Sequence, residues 1–387
     1  MPSDALSSVA RTAYVVASTR LVDSNRPAAL IQDAPLSAMV PDTEELRTQQ
    51  QAQVQWLQRL VEGLQQGKPL LEQGSRMEHA DIKDTLAVSI VGLRCRYVDD
   101  ELLAALHRIR RKLAARLREA GEGGSQRPNI QAVMLGAGLD TRPWRLELGH
   151  DISWFEVDLP DMTAFKRERM KHGGLTAAAA SGDCNADLFT DLAATNGGEA
   201  GGKAGISLRV ASWAAVAADL EGGGWLAQLE ACGFDPSLPT VWVAEGLVYY
   251  LPQPAVDNLI EDITAVSKRA QLGAVILTSS NPTYNRSIRL WREKIAQGLA
   301  AATASGKSAL GWPSLTASLG FEPHIKLQQA GWHAAWSVTL ADLEVMYRVV
   351  HHPSLARTPE LDAIRQQARE ECGDKLGEYH VVTATMG

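Results

Sequence analysis

A chain of 387 residues can bury a large core, and 45% hydrophobic against 21% charged residues is ordinary for a globular protein. A formal net charge of −7 argues against nucleic acid as the main partner, because phosphate binding needs a basic face. No apolar run reaches the roughly eighteen residues of a membrane span, and the opening stretch MPSDALSSVARTAY has an early acid and no apolar signal core. A cytoplasmic protein with no membrane partner is therefore expected. Cys95, Cys184, Cys232 and Cys372 are far apart, with neither a C-x-x-C pair nor zinc spacing, and are expected to be reduced and mostly buried. His351 and His352 are adjacent, so their rings diverge on a helix; no metal site is expected.

In chain order, Thr43 is a candidate cap for a Gln- and Leu-rich helical stretch over 44–65. Leu86, Ile90, Leu93, Tyr97, Leu102 and Leu106 recur at helical spacing, predicting one or two helices over 83–119 with a basic, solvated end. Apolar β-formers predict a strand near Gln131–Leu135 and a second near Ser153–Val157. The helix after it, over Ala164–Met170, should turn Phe165 inward and Lys166, Arg167 and Arg169 outward. Residues 171–206 are rich in Gly, Ala, Asn and Asp and read as an insertion. Strands follow over Ser207–Ala217, Pro239–Glu245 and Ala274–Ser279, with a helix over Ala255–Ser267. Two late strands are expected near His333–Val338 and Tyr379–Thr385. Alternating strands and helices imply an α/β fold, a doubly wound and mostly parallel sheet, with added N-terminal helices and a helical C-terminal elaboration.

The most informative stretch is Val133–Arg145, VMLGAGLDTRPWR. A strand runs into Gly136-Ala137-Gly138, and a second strand ends on Asp158 about twenty residues later. The glycines let backbone approach a ligand, and the acid accepts from paired ribose hydroxyls. The pattern points to an adenosine site, the alternative being a tight turn in the core that binds nothing. A dinucleotide fingerprint wants a third glycine where Thr141 stands, which disfavours an NAD-linked oxidoreductase. A methyl donor without phosphates, S-adenosylmethionine, fits better. Glu245 also ends an apolar strand at the edge where such sheets bind ligands. Asp140 reads as a turn-former, Asp219 as a possible cap of a helix near Glu221, and Arg142 and Arg145 as surface or ion-pair residues.

Four ordered segments, GAGLDTRPWRL (136–146), FEVDLPDMTAFK (155–166), AADL (217–220) and AEGLVYYLP (244–252), resemble the leucine carboxyl methyltransferase-like family of S-adenosylmethionine-dependent methyltransferases. RCRYVDDEL (94–102), the N-terminal RTAYVVASTR with RPAALIQDAPLS, and the late WPSLTASLGFEPHIKLQQAGWHAAW extend the resemblance over nearly the whole chain. Two departures stand out: the 171–206 insertion is long, and Ser212–Val216 is extra before AADL.

The resemblance implies a class I methyltransferase, Rossmann-like, in a single domain of 1–387. In it a helical part (1–120) precedes the cofactor core (121–280), and 281–387 completes the sheet and substrate pocket. It implies that Gly136 and Gly138 lie against S-adenosylmethionine and that Asp158 binds its ribose. Asp219 and Leu220 would sit by the adenine, Glu245 by the methionine ammonium, and Arg96, with Arg20, by the carboxylate. Tyr250 would border the methyl-transfer site, with Arg96 beside it as the second catalytic candidate. A carboxylate acceptor is already ionised at neutral pH and needs no base, whereas an alcohol needs one. The expected activity is O-methylation of a small acid or phenol. A protein C-terminal leucine is the alternative acceptor, and a non-catalytic adenosine-binding protein is the alternative of another class.

Overall fold

Continuous runs of β-branched and aromatic residues become strands where both faces of a sheet are covered. In the computed structural model seven such runs share one sheet. The structure describes residues 8–25, 29–40, 87–88, 90–120, 129–175, 206–286, 319–320, 322–347, 350–351, 366, 370 and 379–387. The strands are β1 (Ile130–Leu135), β2 (Gly149–Asp158), β3 (Val210–Ala217), β4 (Thr240–Ala244), β5 (Gly273–Ser280), β6 (Ala335–Thr339) and β7 (Tyr379–Met386). Their order is β3-β2-β1-β4-β5-β7-β6. Neighbours among the first five are parallel, and β7 runs antiparallel between β5 and β6. The chain leaves β1 on one side toward β2 and β3 and on the other toward β4 and β5. That reversal opens a crevice beyond the carboxyl ends of β1 and β4.

All seven strands of this sheet lie where the apolar runs predict them, while a separate two-stranded pairing of Ala87–Val88 with Val350–His351 is not predicted by them. The farthest end is the start of β2, at Gly149 rather than Ser153. Ser212–Val216 form the middle of β3 and pair in register with Ser153–Val157. Period-two alternation sends Ile130, Ala132 and Met134 to one face of β1 and Val133 and Leu135 to the other.

The first face is covered by α1 (Ser8–Ser24), α2 (Ala34–Met39), α3 (Ile90–Glu119), α4 (Arg142–Arg145) and α5 (Pro160–Gly173). The second is covered by α6 (Trp225–Ala231), α7 (Gln253–Ala270) and α8 (Pro323–Ala330), while α9 (Leu340–Tyr347) packs beside α3. The 83–119 stretch is one helix from Ile90, whose buried Leu93, Tyr97, Leu102, Leu106 and Ile109 follow its helical stripe. Arg116 and Arg118 close it, where cations suit the helix dipole.

Three expectations need correction. Lys166 points inward: it is buried, and its Nζ donates to Glu156 Oε2 and to the Asp140 carbonyl at 2.7 Å. A buried acid on the neighbouring strand drew it in. Cys232 is disulfide-bonded, with its partner outside the described residues, while Cys95 is a free, buried thiol. Distance along the chain does not say which thiols folding brings together. No helix begins near Glu221; α6 starts at Trp225 after a glycine run. The 44–65 helix, the Thr43 cap, His352 and most of the 171–206 stretch lie outside the described residues. Among the described residues no helix is long and apolar enough to cross a membrane, and no cluster of three or more His, Cys, Asp or Glu could hold a metal.

Candidate active site

The crevice at the strand reversal holds a cavity of about 1130 Å3, counting the part open to solvent. Its floor is the carboxyl ends of β1 to β4, and α1 roofs it with Thr12, Ala13, Val16, Ala17 and Arg20.

At one end, β1 stops at Leu135 and the chain turns on Gly136 (φ +65°) and Gly138 (φ +49°), a conformation that disfavours side chains. The turn is also tight. An added Cβ at Gly136 would meet Leu247 Cδ1 at 2.9 Å, and one at Gly138 would meet Ala13 of α1 at 3.1 Å. The Gly136 amide donates to the Val157 carbonyl at 2.8 Å, and the Gly138 amide to Asp158 Oδ2 at 2.6 Å. Asp158 Oδ1 accepts from the Leu159 amide at 2.8 Å. Each carboxylate oxygen keeps acceptor capacity after these bonds, and the residue lines the cavity. Burial pushes the Asp158 carboxyl above its ordinary value, against the pull of the two amides. Asp219 and Leu220 complete this end. Asp219 is exposed, and its Oδ1 accepts from the Glu221 amide at 2.9 Å, so it caps a turn as well as lining the cavity.

The other end is dense with charge. Glu245, just past β4, accepts from Arg94 Nε at 2.8 Å, from the Cys95 thiol at 3.1 Å and from Arg142 Nη2. Arg142 also pairs with Asp140 and, at 2.6 Å, with Asp99. Asp99 takes both terminal nitrogens of Arg145, at 2.6 and 2.8 Å. Arg20 pairs with Asp33 at 2.8 Å and donates to the Leu139 carbonyl at 2.6 Å, tying α1 to the glycine turn. Arg142 and Arg145 are thus ion-paired, as one reading had it, but deep inside and not on the surface. Four acids (Asp33, Asp99, Asp140, Glu245) and four arginines (Arg20, Arg94, Arg142, Arg145) balance one another in this network. Burial raises and the arginines lower the Glu245 carboxyl, and the arginines win, holding it well below the carboxylate range. Burial pushes the Cys95 thiol up to about 12, so it is neutral and a donor.

Of Arg94 and Arg96, it is Arg94 that lines the cavity, with Arg20 of α1. Arg96 is turned outward, pairing with Asp100 at 3.0 Å, donating to the Leu30 carbonyl at 3.1 Å and lying 5.5 Å over the Tyr347 ring. Residues two apart on a helix point in nearly opposite directions, so only one of the pair can face the sheet. Arg94 also donates through Nη1 to the Tyr249 hydroxyl at 3.3 Å and the Tyr379 hydroxyl at 3.4 Å. Tyr250 is half-buried at the cavity rim, its ring 4.8 Å from that of Tyr249. The structure therefore gathers Arg20, Gly136, Gly138, Asp158, Asp219, Leu220, Glu245 and Tyr250 around one cavity and leaves Arg96 outside it. Asp140 keeps the structural part expected of it, its Oδ1 accepting from the Arg142 amide at 2.7 Å.

Comparison with known proteins gives the same direction. The family model described as leucine carboxyl methyltransferase matches residues 13–264. A protein of Mycobacterium sp. (strain JLS) named as an S-adenosyl-L-methionine-dependent methyltransferase is 30% identical over 294 residues, covering 76% of this chain and 73% of its own. One of Rhodococcus jostii (strain RHA1) with the same kind of name is 31% identical over 264 residues, covering 68% and 64%. Among solved structures, geranyl diphosphate C-methyltransferase from Streptomyces coelicolor A3(2) matches at 12% identity and a TM-score of 0.29, over 74% of this chain and 82% of that one. Likeness at that last level identifies neither substrate nor site.

Proposed function

The chain belongs to the leucine carboxyl methyltransferase family and is an S-adenosylmethionine-dependent methyltransferase, and on that premise we propose that it methylates a carboxylate or phenol of a small molecule. The residues present fit the donor. Asp158 offers acceptor capacity beside the glycine turn, where paired ribose hydroxyls would dock. Arg94 has committed Nε and Nη1 to Glu245 and the tyrosines, and its Nη2 is left for the methionine carboxylate. Glu245 would face the ammonium. When bound, the cofactor supplies a sulfonium-borne methyl group that is electrophilic without further activation.

What the protein must add is positioning: a nucleophile in line with that methyl, about 3 Å away, with water excluded. The observation that supports an acidic acceptor is the state of the acids near Tyr249 and Tyr250. Asp140 and Glu245 are both held by arginines, and the described residues lining the cavity include no histidine. Neither of these acids is free to take a proton, which favours a carboxylate, ionised at neutral pH, over a phenol with its pKa near 10. A protein C-terminal leucine carboxylate satisfies the same chemistry and remains the alternative acceptor.

Two measurements test this. Calorimetry with S-adenosylmethionine should show binding to the wild type and loss of at least tenfold in affinity for Asp158→Ala; unchanged affinity would remove the ribose assignment. Radiolabelled methyl transfer across small acids, phenols and a peptide ending in leucine should give product with a small acid or phenol. Mild base releases methanol from an ester and leaves an aryl ether intact, so the label identifies the bond formed. Turnover of the peptide alone would overturn the small-molecule reading.

A further inference from the structure

We infer that Tyr379 is a positioning residue for cofactor binding: its hydroxyl sets the tilt of Arg94 so that the free edge of the guanidinium faces the cofactor's carboxylate. The inference rests on the assignment of that carboxylate to Arg94. Tyr379 opens β7 and is itself buried, and it is not among the residues lining the cavity, so it acts through its neighbour.

A guanidinium is a planar fork, and two of its three nitrogens fix the plane of the third. In Arg94 the stronger anchor is Nε, 2.8 Å from Glu245 Oε1. That bond alone leaves the fork free to swing about it. The swing is limited by Nη1, which sits between the Tyr249 and Tyr379 hydroxyls, themselves 3.2 Å apart. Burial keeps both phenols protonated, so each presents an oxygen that accepts from the arginine. Nη2 is the remaining nitrogen, and it lies against the backbone of Gly246, where an added Cβ would stand 3.4 Å from it.

Tyr379 in turn is fixed. It pairs with Ser280 of β5, its hydroxyl meets Thr278, and Thr278 Oγ1 accepts from the Gly246 amide at 2.8 Å. Its ring packs 5.5 Å from Tyr284 and 6.0 Å from Tyr249. The hydroxyl, unlike the ring, makes no contribution to that apolar packing; its partners are Arg94, Tyr249 and Thr278.

The test compares S-adenosylmethionine with its decarboxylated analogue, which keeps the adenosine, sulfonium and amine and lacks only the carboxylate. Both are titrated calorimetrically into the wild type, Tyr379→Phe and Arg94→Gln. Tyr379→Phe should weaken S-adenosylmethionine by about five- to tenfold, the upper part of the range of one ordinary net hydrogen bond, and change the analogue less than about twofold. Equal loss on both ligands, no loss on either, or failure of Tyr379→Phe to fold would each overturn the positioning role. Arg94→Gln serves as the separate check. If it keeps the full preference for the carboxylate-bearing ligand, the assignment of Arg94 itself is wrong.

Discussion

The two ends of the cavity are built differently. At the glycine turn a single carboxylate, Asp158, is held by two backbone amides and has no cation in hydrogen-bonding contact. At the opposite end four acids and four arginines from α1, α3, α4 and the intervening loops are locked together, and Glu245 is one of them. A group held by amides can lose its charge without stranding a partner. A group inside a buried ionic network cannot, because whatever it paired with is left uncompensated in a medium that solvates charge poorly. On the proposed function the first end serves the ligand alone, and the second carries the architecture as well.

The hardest blow to that contrast is Glu245→Gln. Arg94 and Arg142 would then face a neutral amide, and we expect a loss of about 3–5 kcal/mol in stability, read from urea unfolding without ligand. Asp158→Asn should lose less than about 1 kcal/mol in the same experiment. Similar losses for the two would erase the distinction.

Acid separates the ends next. The Asp158 carboxyl titrates above its ordinary value of 3.8, so its protonated form is favoured in the fold and it takes up a proton early as pH falls. Its contribution to folding is present at low pH and is lost as pH rises through the folded-state value. Glu245 has the opposite sign: its contribution is present above the ordinary 4.5 and is lost only at a pH well below it. Lowering the pH toward the carboxylate range should therefore weaken S-adenosylmethionine binding before near-UV circular dichroism reports any loss of packing. Simultaneous loss of both would show that one group governs them. The smallest effect belongs to Arg96→Ala. This half-exposed ion pair should change stability by no more than about 0.5 kcal/mol, and cofactor affinity should stay within twofold.

The same contrast explains what the sequence revealed. The glycine turn and Asp158 lie within one strand-turn-helix-strand unit of residues 130–158, so local pattern and spacing sufficed to place them. The arginine network draws on residues 20, 33, 94, 99, 140, 142, 145 and 245, and no local pattern joins them. Two of its features were nonetheless within reach. Arg94 stands four residues before Val98 and eight before Leu102, on the apolar stripe of α3, whereas Arg96 shares its face with Asp100 and Leu103. Helical periodicity alone would have chosen Arg94. Lys166 was read outward by its charge, and only the pairing of β2 with its helix reveals the buried Glu156 that claims it. Tyr379 had no signal at all, because its importance lies in a neighbour 285 residues away.

The insertion of β7 between β5 and β6 has a consequence for how the protein is made. Ser280 and Tyr379 are paired in the sheet, yet nearly a hundred residues of chain separate them. Until the ribosome has delivered that late segment, β5, buried along its whole length in the finished molecule, is an open edge with unpaired amides and carbonyls. Nascent chains stalled before residue 379 would expose that edge to one another, and co-translational aggregation should begin there.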